Sequence, residues 1–274
     1  MRWTALQLDE QRSVKDMLDM TGRTSLITGG SGGIGRASAR ALAEMGSNVV
    51  ITGTERSREK MKGYTQYIEE KFGVRAVSVV CDVSREEDVN ALFDAIRKEF
   101  GDLHAAFMNA GFFPRGDLAD GPVSEFERCL SVDVTGALLC ARAAANLMIE
   151  KGHGGSLIMN GSMTGHHINR REDGERYGVA YPAAKAAAIH LTRALAADYA
   201  QYGIRVNSVS PGYILSGIHD GRTQEYFDYT SANVPMKRYG TLDEIVGAVV
   251  YYASDLSAYT TGADLLVDGG YCIW

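Results

Sequence analysis

Three side chains in the second half of the chain have the types and spacing for proton transfer at a substrate oxygen: Ser162, Tyr181 and Lys185. The segment Tyr181-Pro182-Ala183-Ala184-Lys185 heads a predicted helix running to about Tyr202. Residues four apart share a helix face about one turn apart. A free phenol titrates near pH ~10 and ionises poorly at neutrality. A cation about 4 Å away, at an effective dielectric near 20, is worth about 4 kcal/mol. That brings the phenol towards working pH, where general acid/base catalysis is most effective. Gly161-Ser162 closes the preceding predicted strand, so Ser162 is expected to donate a hydrogen bond to a substrate oxygen held beside Tyr181. A Tyr–x–x–x–Lys pair alone carries little, because any helix can hold one as a packed ring and a surface charge. The serine on the strand exit gives it weight.

A second constellation lies near the start, in Thr28-Gly29-Gly30-Ser31-Gly32-Gly33-Ile34-Gly35. It follows a predicted strand and opens a predicted helix, which is the setting of a dinucleotide cradle. Glycines permit the tight turn and close approach of the backbone to a pyrophosphate, while the helix start offers unpaired N–H groups and a positive dipole end. Gly29, Ser31, Gly33, Ile34 and Gly35 are the expected contacts.

The elements that must position these groups are legible as alternation. Apolar, β-branched runs at Thr24–Thr28, Asn48–Thr52, Ala76–Val80, Leu103–Met108, Ser156–Asn160, Ile204–Val209 and Asp264–Val267 suit strands buried on both faces. Between them the spacing is helical, as in Ile34, Ala37, Ala41, Leu42 and Met45, and in Val89, Leu92, Phe93, Ile96 and Phe100. Capping-box pairs are expected at Ser84/Glu87, Ser124/Glu127 and Thr241/Glu244. The pattern predicts an α/β fold: one Rossmann-like, doubly wound parallel sheet of about seven strands with helices on both faces. No linker or repeat divides it, so residues 21–274 read as a single domain preceded by an extension over residues 1–20.

The 274 residues, 45% hydrophobic and 23% charged, have the composition of an ordinary globular protein. A net charge of −6 argues against a nucleic-acid binder. No apolar run approaches the length needed to cross a bilayer, and no secretory leader is evident, so no membrane partner and a cytoplasmic location are expected. Cys81, Cys129, Cys140 and Cys272 are scattered without metal-ligand spacing and suit a reducing compartment. His166 and His167 are adjacent rather than spaced for a helical site, so no metal is expected.

From residue 20 onward the chain resembles the short-chain dehydrogenase/reductase family, whose glycine turn runs T-G-x-x-x-G-x-G. By that resemblance Asp82-Val83 contacts adenine, and Asn109-Ala110-Gly111 steadies the sheet behind the cofactor. Pro211-Gly212, with Ile214 and Ser216, holds the nicotinamide carboxamide. The resemblance implies that Tyr181 exchanges the proton, Ser162 orients the substrate oxygen, and Lys185 anchors the ribose and tunes Tyr181. The family's fourth residue, an Asn that bends its helix and relays protons through water, is replaced by Asp133 in Ser131-Val132-Asp133-Val134-Thr135-Gly136. An ionised Asp133 is expected to act on Lys185 through water and to alter the pH optimum. The implied activity is reversible NAD(P)-dependent interconversion of a secondary alcohol and a ketone, by a homotetramer acting on a small molecule.

NAD selection usually needs a carboxylate at the end of the second strand. Here Gly53 and Thr54 carry none, while Arg56 is placed for a 2′-phosphate, so NADP(H) is favoured and NAD(H) remains possible. Part of the polar insertion from His166 to Tyr177 must border the substrate mouth, and its polar rim suits a hydroxylated or anionic substrate. His167 and Tyr213 are the expected substrate contacts. A lid is expected over roughly Ile214–Pro235, and the aromatic tail ending at Trp274 resembles that of polyol and ketose dehydrogenases. A polyol/keto-sugar pair is therefore the expected substrate. A 3-oxoacyl thioester reductase and a non-catalytic nucleotide sensor or scaffold remain the alternatives.

Overall fold

The apolar runs become strands β1 (Thr24–Thr28), β2 (Asn48–Gly53), β3 (Ala76–Val80), β4 (Ala105–Met108), β5 (Gly155–Asn160), β6 (Ile204–Pro211) and β7 (Asp264–Val267). The computed structural model of the protein describes residues 12–114, 122–169 and 178–273. The helices are α1 (Val14–Leu18), α2 (Gly33–Glu44), α3 (Arg58–Phe72), α4 (Glu86–Phe100), α5 (Val123–Leu130), α6 (Ala137–Lys151), α7 (Ala180–Tyr199), α8 (Gln224–Ala232) and α9 (Leu242–Ala253). The strands form one parallel sheet in the order β3-β2-β1-β4-β5-β6-β7.

Ile27 of β1 lies level with Ile51 on one side and Phe107 on the other, and all three are buried. That is why these runs lack polar alternation: both sheet faces are covered. One core layer joins Leu26 and Met159 to Phe93 of α4 and to Leu147 and Met148 of α6. The other joins Ile27 and Ile51 to Leu42 of α2, Ile68 of α3 and Val249 of α9. The strand order reverses between β1 and β4. Their carboxyl ends therefore open a crevice, the place where open α/β sheets bind ligands.

Thr241 and Glu244 form the expected capping box at α9. The other two expected boxes do not form. Ser84 turns back, and its N–H and hydroxyl both donate to Asp82 Oδ1, so α4 starts after Arg85. Ser124 lies inside the first turn of α5, because Pro122 occupies the cap position. A capping box at Ser13/Asp16 opens α1 instead.

A second correction concerns length. α5 and α6 are joined through a π-helical turn at Ser131–Gly136 into one continuous helix, Val123–Lys151. By length and composition it could cross a bilayer, although Glu127, Arg128, Asp133 and Arg142 interrupt its apolar run. Half of its apolar window is buried here, as in the core helix of a folded domain.

Of the expected extension, residues 1–11 lie outside the described residues. Arg12 and Arg23 both grip Asp255 beyond α9, Arg23 through two bonds of 2.8 Å. Met20 is fully buried in the core. The hydrogen bond from Arg23, outweighing the burial penalty and assisted by Arg12, holds the Asp255 carboxyl down at about 2. A depressed carboxyl stabilises the fold above its unfolded value of 3.8 and loses that contribution as pH falls towards about 2. Asp255→Asn is therefore expected to cost about 2 kcal/mol in urea unfolding at neutral pH. The gap from the parent should close as pH falls through that window. A gap independent of pH would rule out this linkage.

Candidate active site

The glycine turn sits over the crevice with no room for a side chain at Gly29, Gly30 or Gly35. Gly29 has φ +65°, and a Cβ there would lie 2.9 Å from Ala110 Cα. A Cβ on Gly35 would collide with the Gly29 carbonyl. Asn109 ties the two strand exits together, because its Nδ2 donates to the carbonyls of Thr28 and Gly29 at 2.9 and 3.2 Å. Ala110 N–H donates to Thr28 Oγ1 at 2.9 Å. Across the crevice the loop after β6 closes in, with Ser216 O 3.1 Å from where a Gly33 Cβ would stand. That loop is braced below: a Cβ on Gly212 would stand 2.5 Å from Asp268 Cα, and Ile214 bridges to Gly240. Pro211 ends β6, and Ile34 lies in the first turn of α2. This backbone-lined cradle fits a dinucleotide.

At its far end Asp82 is engaged by Ser84, and Val83 packs under Gly136, where a Cβ would meet Val83 Cγ2 at 2.8 Å. At the end of β2, Glu55 is gripped by Arg58 through two bonds of 2.6 Å. The Glu55 charge is thus paired, while Thr54, Arg56 and Lys60 stand exposed beside it. Lys60, which no sequence motif selects, places Nζ 3.4 Å from where a Gly32 Cβ would be. Ser57 and Ser31 flank Gly53 at the same corner, their hydroxyls 2.6 and 3.6 Å from its Cβ position.

Ser162, Tyr181, Lys185 and Asp133 converge at the carboxyl end of β5. Ser162 is buried at the head of a short turn, Met163–Gly165, and its oxygen accepts from Thr164 N–H at 3.2 Å and Thr164 Oγ1 at 2.9 Å. Tyr181 opens α7, with the Phe113 ring 5.0 Å away across it. Lys185 Nζ stands 5.3 Å from the Tyr181 ring centroid and donates to the Asn160 carbonyl at 2.8 Å. Its second partner is Asp133 Oδ1 at 2.9 Å. Both residues are only 2% exposed. The expected water-mediated contact is therefore a direct, buried ion pair. The π-helical turn at Ser131–Gly136 brings the carboxylate this far inward, and such turns gather at functional sites. Its other oxygen accepts from Phe112 N–H at 2.7 Å, and Gly111 leaves it room, a Cβ there standing 3.0 Å from Oδ1.

These charges set the phenol. Burial pushes Tyr181 above the ordinary tyrosine range, and the Asp133 charge adds to that; Lys185 and the Ser162 hydroxyl pull the other way without overcoming it. Lys185 thus pulls the phenol down in the expected direction, but burial, with the Asp133 charge adding to it, outweighs that pull. Burial lowers Lys185, but Tyr181 and Asp133 together hold it above its ordinary value.

On the substrate side His167 packs edge-on against Tyr271, 5.8 Å between centroids. Tyr213 is buried in a cluster with Met163, Val234, Tyr239 and Tyr271, stacked on Tyr239 at 5.1 Å. The tail's Asp268 carboxylate accepts from Gly270 and Cys272 N–H groups, which seats Tyr271 there. Residues 170–177 of the expected insertion, and Trp274, lie outside the described residues. At the opposite end of the sheet Asp102, His104 and His153 bring possible ligand atoms within 4.8 Å. The two rings stack in parallel, 2° apart, so their lone pairs do not converge on one ion. Thr24 N–H also donates to His104 Nδ1 at 3.1 Å, which leaves the neutral ring's proton on Nε2.

Residues 29–272 match a family model described as enoyl-(acyl carrier protein) reductase. The chain is 36% identical over 269 residues to an NADP-dependent mannitol dehydrogenase of Aureobasidium melanogenum, covering 97% of this chain and 98% of that protein. It superposes at a TM-score of 0.88 and 37% identity on a short-chain type dehydrogenase/reductase from Mycobacterium marinum, covering 94% of this chain and 99% of that one. With the NADPH-dependent 3-quinuclidinone reductase of Rhodotorula rubra the TM-score is 0.89 at 34% identity, over 99% and 98% of the two chains. The chain belongs to the short-chain dehydrogenase/reductase family of nicotinamide-dependent oxidoreductases.

Proposed function

We propose that the protein interconverts a polyol and its ketose, with NADP(H) preferred over NAD(H). The observation that carries this is the meeting of Ser162, Tyr181 and Lys185 at the carboxyl end of β5, beside the glycine cradle. The nicotinamide, when bound, supplies or accepts the hydride. Gly29, Ser31, Gly33, Ile34 and Gly35 seat the pyrophosphate, and Asp82, Val83 and the Asn109-Ala110-Gly111 turn line the adenine side. Pro211, Gly212, Ile214 and Ser216 orient the carboxamide. Tyr181 passes a proton to or from the substrate oxygen, Ser162 holds that oxygen, and Lys185 orients the ribose while steadying the charge on Tyr181. Asp133 positions Lys185, and His167 and Tyr213 bound the substrate. Similarity to a mannitol dehydrogenase favours a hydroxylated substrate.

The test is turnover, followed by nicotinamide absorbance, of purified protein crossing NADPH and NADH with ketoses, acetoacetyl thioesters and, in reverse, polyols. Turnover of a ketose supports the proposal. Turnover of thioesters alone favours an acyl reductase, and tight nucleotide binding without any turnover favours a sensor.

For the cofactor, Arg56 and Lys60 form the corner that receives a 2′-phosphate, with Thr54 at its edge. Arg58 keeps Glu55 from serving a ribose hydroxyl. Lys60→Ala is expected to weaken binding of 2′,5′-ADP about tenfold, as loss of one charge-assisted contact does. Binding of 5′-AMP should be unchanged in the same calorimetric titration. An equal loss for both nucleotides would remove Lys60 from this role.

We further propose a homotetramer, formed through the exposed apolar positions Val123 and Leu138 on the α5–α6 helix and through α7. A cytoplasmic location is proposed as well, because all four cysteines are free thiols.

A further inference from the structure

Behind Ser162 lies a polar network that the mechanism does not use. Asp264, the first residue of β7, has a side chain only 7% exposed. One of its oxygens, Oδ1, accepts from the hydroxyls of Ser208 and Ser210, both on β6, the latter at 2.8 Å. The other, Oδ2, accepts from His166 Nε2 at 2.7 Å. A carboxylate this buried is costly to desolvate unless its lone pairs are filled, and here three donors fill them.

The placement of the donors matters more than their number. His166 is the residue at which the Ser162–Gly165 turn ends and the segment towards the substrate mouth begins. Its own N–H donates to the Met163 carbonyl at 3.0 Å. Ser210 presses beneath Gly161, where any Cβ would collide with its hydroxyl. The turn's other side lies flat on α7: a Cβ on Gly165 would stand 3.0 Å from Ala186 N and from the Lys185 carbonyl carbon. The turn carrying Ser162 is thus clamped between the helix bearing Tyr181 and Lys185 and the β6–β7 edge. The His166–Asp264 bond closes the clamp.

We infer that His166 and Asp264 are positioning residues that fix Ser162, and the first residues of the substrate-facing segment, relative to Tyr181. This rests on the alcohol/ketone activity proposed above. Asp264 also holds Ser210, next to Pro211. His166, by contrast, bonds to Asp264 and to its own turn, so the effect of changing His166 should fall on the carbonyl substrate and leave the nucleotide alone. Small misplacements of a positioned group are expensive in rate, up to about a hundredfold for roughly an ångström. The requirement is for a donor at the Nε2 position, which glutamine can supply and alanine cannot.

The experiment compares His166→Ala, His166→Gln and Asp264→Asn with the parent, using the ketose that the parent turns over best. His166→Ala should raise KM for the ketose and lower kcat/KM about tenfold or more. His166→Gln should recover most of that loss, and Kd for NADPH should stay within about twofold of the parent in both His166 variants. In parallel, hydrogen exchange over residues 162–169 should be faster in His166→Ala and Asp264→Asn and parent-like in His166→Gln. Equal losses in His166→Ala and His166→Gln, or a matching loss of NADPH affinity, would overturn the inference, as would parent-like kinetics in His166→Ala. If the parent turns over no substrate, the activity proposal fails, and unchanged exchange in His166→Ala then rejects the clamp by itself. Because His166 is partly exposed, its variants keep the test open should Asp264→Asn fail to fold.

Discussion

Tyr181→Phe is expected to reduce turnover in both directions by about a thousandfold, within the range that positioned proton transfer contributes, and to leave Kd for NADPH unchanged. The substitution removes one oxygen and keeps the ring, so the contact with Phe113 at 5.0 Å and the approach of Lys185 at 5.3 Å can persist. What is lost is the group that exchanges a proton with the substrate oxygen. Ser162 cannot replace it, because a serine hydroxyl has no accessible charged form at neutral pH; its oxygen here already accepts two bonds from Thr164. The residual rate should come from orientation by Ser162 and from the cofactor held beside the substrate. Burial and Asp133 hold the phenol above its ordinary range, so alcohol oxidation, which needs the phenolate, should rise with pH. Ketone reduction, which needs the phenol, should fall at high pH. Both limbs should vanish in Tyr181→Phe. A variant keeping more than about a tenth of parental turnover would place the proton donor elsewhere.

How far the site could be read from the chain depends on the range of the interactions involved. Strand positions were legible because parallel strands buried on both faces need continuous apolar runs; Ile27, Ile51 and Phe107, side by side in the sheet, each sit in such a run. The glycine turn and the Tyr181–Lys185 spacing were legible because their geometry is local. Helix starts were less so. Ser84 and Thr241 carry the same Ser/Thr-x-x-Glu pattern, but Asp82 draws Ser84 into a turn of its own, and that competition depends on one further neighbour. The ion pair between Lys185 and Asp133 joins residues 52 positions apart through a π-helical turn that no spacing rule announces. The same holds for Lys60 over Gly32 and for His166 on Asp264, both made by tertiary packing. Polar contacts of this range carry no periodic signal, whereas apolar burial does.

Asp133→Asn should move the pH dependence of alcohol oxidation towards acid. The carboxylate charge raises both Tyr181 and Lys185, so removing it lowers both, and the phenolate then forms at lower pH. Asparagine keeps the shape and can still accept from Phe112 N–H through its carbonyl, so the π-helical turn should persist. The cost falls on stability. Lys185 stays buried, with the Asn160 carbonyl as its remaining acceptor and no counter-charge at 2.9 Å. Breaking a buried pair by removing one partner typically costs about 3–5 kcal/mol, whereas replacing both partners is often close to neutral. Urea unfolding should therefore show a loss of that order for Asp133→Asn, and most of it should be recovered in Asp133→Asn/Lys185→Met. That double variant will not turn over, since Lys185 is gone. Its recovered stability would still separate the charge effect from a packing effect, because two independent packing losses would add rather than cancel. An oxidation profile superimposable on the parent's would mean that Asp133 does not reach Tyr181 electrostatically. The pair would then be a structural tie at the π-helical turn, and the altered pH optimum expected from the sequence would have to be abandoned.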